Sequence, residues 1–83
     1  MSDARIQAKV RDLESVRDGI RDNLRFHEQD IGDLEREYRA AGRHTDAYLR
    51  QQDIERRIST LRNSITSAKG ELLRIEKEID NLR

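Results

Sequence analysis

Apolar residues in this chain recur at alternating steps of three and four, the spacing of a seam along an α-helix. In the first half Val10, Arg17, Leu24, Ile31 and Tyr38 take heptad position a. Ile6, Leu13, Ile20, His27, Leu34 and Ala41 take position d. In the second half a holds Gln51, Ile58, Ile65, Leu72 and Ile79, and d holds Ala47, Ile54, Leu61, Ala68, Ile75 and Leu82. Fifteen of the nineteen Ile, Leu, Val and Phe residues fall on these seams; only Val16, Phe26, Leu49 and Leu73 lie elsewhere. So narrow a seam is the pattern of a coiled coil, whereas a globular bundle would also make e or g apolar.

The two seams do not share one frame. Ala41 and Ala47 are both d, six residues apart instead of seven, with Gly-Arg-His-Thr-Asp between them. Gly42 is expected to end the first helix in the left-handed conformation, and Thr45 to cap the second. Asp46 would lie near the positive end of the second helix dipole. So short a connection makes the helices antiparallel. The sequence therefore predicts an all-α fold, an antiparallel two-helix coiled-coil hairpin over residues 1–83. Helix 1 covers about 3–41, the turn 42–45 and helix 2 about 45–82, each helix about 58 Å long.

In an antiparallel pair a faces d, so facing residue numbers add to a constant. A value of 85 sets bulky residues against small ones, Tyr38 on Ala47 and Arg17 on Ala68. His27 then faces Ile58 and Gln51 faces Leu34. On the g flank this register pairs Lys9–Glu78, Asp30–Arg57 and Glu37–Arg50, all complementary, with Asn23 opposite Ser64. The e flank is less consistent. Glu14 meets Lys69, but Arg21 meets Arg62 and Glu28 meets Glu55, a patch that a rotated second copy would complement.

Composition agrees with a helical chain: 41% of residues are charged, 34% hydrophobic, and none is proline. Seventeen basic and seventeen acidic residues leave no net field to gather nucleic acid or an anionic membrane. No apolar run reaches the roughly 20 residues of a membrane span, so a soluble, cytoplasmic protein is expected by default. With no cysteine, disulfides and thiolate metal sites are excluded.

No catalytic motif is expected, because a two-helix layer has no interior in which to pair carboxylates or seat a nucleophile. His27 on a seam and His44 in the turn are too far apart to share a metal, so neither metal nor cofactor is expected. The four glycines never cluster into a phosphate loop. What remains is surface. The candidates for partner contact are the apolar row Val16, Phe26 and Leu49, and the charged patch of Arg21, Arg62, Glu28 and Glu55. The turn end adds Arg39, Arg43, His44 and Tyr48.

These features predict a non-enzymatic structural or adaptor protein that works through protein–protein contact and self-association. Each helix of a lone hairpin stays wet over most of its circumference, so pairing into a homodimer, a four-helix assembly, would bury a second face. The partner would be a second copy, another protein, or both, with no membrane role. The alternative is a small nucleic-acid-binding hairpin acting as a dimer, which would need a basic face that the charge balance does not favour.

Overall fold

The computed structural model describes residues 2–83. Helix α1 runs Ser2–Ala41 and α2 runs Ala47–Leu82, packed side by side in a rod of 68 × 14 × 12 Å. The fold is the antiparallel all-α hairpin that the heptads predict. Burial follows the seams closely. Every a and d residue is buried or half-buried except Ile6, which is 37% exposed. Val10, Leu24, Ala41, Ile54, Ile75 and Ile79 form the buried set, and among the described residues no side chain is sealed completely.

The turn differs from the expectation. No described residue has a positive φ, so Gly42 does not close α1 in the left-handed conformation. Two tight turns replace that cap: the Arg43 N–H donates to the Ala40 carbonyl and the His44 N–H to that of Ala41. A Cβ at Gly42 would lie 3.3 Å from Gln51 Nε2 and 3.4 Å from the Arg39 carbonyl. A side chain at Gly42 would thus have to displace the Gln51 amide by a few tenths of an ångström. That amide crosses the turn and donates to the Tyr38 carbonyl at 3.1 Å, satisfying an acceptor in the last turn of α1.

Helix α2 starts at Ala47 and not near residue 45, because Thr45 does not cap it. Asp46 occupies the cap position without a side-chain bond to the backbone. Its carboxylate instead lies 2.9 Å from Arg50 Nε, one turn along.

The register is also corrected. Ile20 packs against the cluster of Val10, Ile75 and Ile79. A facing sum of 85 would set Ile20 on Ile65, about 15 Å along the helix from Ile75. Ion pairs across the hairpin locate the true register. On the e flank Glu14–Arg83, Arg21–Glu76 and Glu35–Arg62 have numbers that add to 97. On the g flank Lys9–Glu78 adds to 87. The midline between the flanks is 92, one heptad from the expected value.

At 92 the layers become Val10–Leu82, Leu13–Ile79, Arg17–Ile75, Ile20–Leu72, Leu24–Ala68, His27–Ile65, Ile31–Leu61, Leu34–Ile58 and Tyr38–Ile54. Arg17, His27, Tyr38 and Ala68 then each have a leucine or isoleucine opposite them, while Gln51 falls opposite Ala41 beside the turn. Ile6 falls outside these nine layers, and it is 37% exposed. Of the expected g pairs, Lys9–Glu78 forms at 4.0 Å. The others do not, since Arg57 turns to Asp53 and Arg50 to Asp46.

Candidate interaction surfaces

The slip of one heptad reorganises the charged patch. Arg21 does not face Arg62; its guanidinium lies 2.8 Å from Glu76. Arg62 reaches Glu35 at 3.8 Å, and Glu55 accepts a 3.1 Å hydrogen bond from the Tyr38 hydroxyl. The expected like-charge pairs Arg21/Arg62 and Glu28/Glu55 are therefore absent. Glu28 falls in line with Lys69 by the same count of 97. Charge on this flank alternates across the groove, closing it with three ion pairs and one hydrogen bond. Each exposed pair contributes little, but together they select the register.

Two groups here depart from their ordinary titration. The Tyr38 phenol is raised above its usual range, first by the hydrogen bond to Glu55 and then by that carboxylate's charge. The Asp46 carboxyl is lowered by the hydrogen bond from Arg50. Both sit at the turn end, where the helices are tied by polar contacts as well as by the seam.

Val16, Phe26 and Leu49 are 50%, 61% and 68% exposed. Val16 and Phe26 share the g/c flank, ten residues or about 15 Å apart. Leu49 sits at f near the turn, about 25 Å beyond Phe26 by the same rise, so the three do not make one continuous patch. Leu73, which the sequence reading set aside as an off-seam residue, is 67% exposed at position b on the opposite flank.

The turn-end residues are divided between flanks. Arg39 lines a groove with Glu35, Tyr38, Glu55 and Arg62, while His44 lines another with Glu37, Arg50, Asp53 and Arg57. Tyr48 is 71% exposed, and its hydroxyl accepts a bond from Gln52 Nε2 at 2.8 Å. Arg36 is held by Asp33. Acidic neighbours dilute the basic residues on both sides, and no single cationic surface results.

The g/c flank contrasts with the closed e flank. Lys9–Glu78 is its one ion pair across the helices among the described residues, and it lies at the end far from the turn. Val16, Gly19, Asn23 and Phe26 of α1 and Thr60, Ser64 and Ser67 of α2 are uncharged g/c positions here, with Glu71 and Arg74 level with the first run and Asp30 with the second. In a chain that is 41% charged, seven neutral g/c positions in a diagonal belt are a departure from the surrounding surface.

Among the described residues no group of His, Asp and Glu could hold a metal ion, and no helix is long and apolar enough to cross a membrane. No protein-family model, curated protein or solved structure matches this chain.

Proposed function

We propose that this protein is a non-enzymatic structural or adaptor element that acts through protein–protein contact, including contact with a second copy of itself. The observation that carries this reading is the exposure of Phe26 at 61%, with Val16 at 50%, on a rod whose seam seals no side chain fully. A chain built this way presents its chemistry on its outer faces. Its stability also stands to gain from covering one of them, since burying an exposed aromatic removes apolar surface from water.

The test is thermal unfolding followed by circular dichroism across a hundredfold range of concentration. A self-associating hairpin melts at higher temperature as concentration rises, because assembly draws on the folded form. A melting point independent of concentration, with a monomer mass throughout, would remove self-association from the proposal. Binding to random-sequence RNA and DNA, titrated with salt, tests the nucleic-acid alternative. Steep loss of affinity with salt would mark phosphate neutralisation and favour that alternative over the adaptor reading.

A further inference from the structure

We infer that the hairpin has a second seat one heptad away, with facing numbers adding to 85, and that the e-flank charges are the latch holding α2 in the observed one.

The seam and the connection fit both seats. A slide of seven residues keeps every a and d residue on the seam. Layers with Leu, Ile or Val on both sides number five in the observed register and six in the other, Ile6–Ile79 and Ile20–Ile65 among them. Apolar burial therefore separates the two only weakly. In the observed register Ala47 stands level with residue 45, about 6 Å beyond Ala41. After the slide it stands level with residue 38, about 4.5 Å short of Ala41. Residues 42–46 can span either offset.

Charge is written twice, once for each seat. Helical side chains lean toward their own N-terminus. On the e flank Arg21 and Glu76 lean toward each other and meet at 2.8 Å, with Glu14–Arg83 and Glu35–Arg62 in the same relation. On the g flank Lys9–Glu78, Asp30–Arg57 and Glu37–Arg50 stand five residues off level and lean apart. Lys9 reaches Glu78 only at 4.0 Å, while Arg57 and Arg50 turn to Asp53 and Asp46. The slide brings these three pairs within two residues of level, leaning together. Against that it sets Arg21 by Arg62 and Glu28 by Glu55. It also gives up the bonds from Gln51 to the Tyr38 carbonyl and from Tyr38 to Glu55. Screening, reversing or covering the e-flank charges thus moves Leu82 by about 10 Å relative to α1, a ratchet of one helix past another.

The test is double electron–electron resonance on the full chain, with spin labels on Ser15→Cys and Asn63→Cys and labelled chain diluted into unlabelled. Both positions are exposed, uncharged and on the outer faces, and the chain has no cysteine of its own. Their separation along the rod is about 21 Å in the observed register and about 10 Å in the other. The parent should give the longer distance at low salt. Arg21→Glu with Glu28→Arg makes two attractive pairs repulsive in the observed seat and two repulsive pairs attractive in the other. It should shift the ratio of the two distances toward the shorter by about tenfold or more. In 1 M salt, where screening acts within about 3 Å, the shorter distance should grow in the parent and shrink in the variant. A variant that keeps the longer distance overturns the inference. So does one that loses its helical circular dichroism, since a second seat would hold it folded. Salt shifts of the same sign in both chains overturn the latch.

Discussion

Arg21 Nη2 lies 2.8 Å from Glu76 Oε1, across the groove between the helices. Together with Glu14–Arg83 and Glu35–Arg62, the contact places acid opposite base three times along one flank. Long charged side chains on neighbouring helices have few other ways to avoid like-charge contact, so the flank acts as a ruler for the register.

That ruler gives opposite signs for one substitution under the two registers. At a facing sum of 85, Arg62 would confront Arg21, and Arg62→Glu would stabilise the hairpin. In the register observed, Arg62→Glu sets two carboxylates against each other and should lower stability by a few tenths of a kcal/mol. Adding Glu35→Arg should recover the loss, with the coupling read from a double-mutant cycle in urea. Equal stability of the single variant and the parent would show that the flank does not select register.

Gln51 is the only amide on either seam. An a position facing Ala41 would ordinarily gain from a leucine. Here Gln51→Leu should destabilise by about 1 kcal/mol, since it strands the Tyr38 carbonyl that Gln51 satisfies. A more stable leucine variant would mean that the hydrogen bond across the turn contributes nothing net.

The Tyr38–Glu55 contact predicts a pH dependence on the alkaline side. The phenol holds its proton more tightly folded than unfolded, because the proton bridges to a carboxylate. Its stabilising contribution is therefore complete below the unfolded pKa, near 10, and is lost as pH rises through the higher folded value. Tyr38→Phe should remove this limb from a plot of stability against pH between 8 and 12. Asp46 acts at the other extreme. Its carboxyl is depressed by Arg50, so that contribution is present above the unfolded value and fades as pH falls through the folded one. An unchanged alkaline limb in the phenylalanine variant would show that the Tyr38 hydroxyl does not link to folding.

The helices and their seam were legible because burial on a two-helix layer is set by period alone. Val10, Leu24, Ile54, Ile75 and Ile79 are buried where the heptads place them. The register was not, for a physical reason. Neighbouring registers differ by one heptad and keep the same residues on the seam, so hydrophobic pattern cannot separate them. The midpoint of the loop lies almost equally far from both, and bulky-on-small layers favoured the wrong one. The deciding signal was in the sequence all the same: Arg21 against Arg62 and Glu28 against Glu55 is a clash that sliding by one heptad removes. Gly42 and Thr45 misled because their usual roles are only preferences: Gly42 keeps a negative φ here, and Asp46 takes the cap position in place of Thr45. The neutral g/c belt was visible only in part, as Phe26 and Val16. Its α2 side, Thr60 to Ser67, shares the g/c positions in the heptads as well, and the slip of one heptad moves it along the rod so that only Ser67 stays beside Phe26.

The register therefore supports the whole account, from the layers of the seam to the closed e flank. Methyl–methyl nuclear Overhauser contacts test it most directly, with isotope-labelled chain diluted into unlabelled chain so that only contacts within one molecule are read. The account predicts cross-peaks between Ile20 and Leu72, Ile31 and Leu61, and Leu13 and Ile79. Cross-peaks between Ile20 and Ile65 and between Ile6 and Ile79, with those three pairs silent, would contradict it.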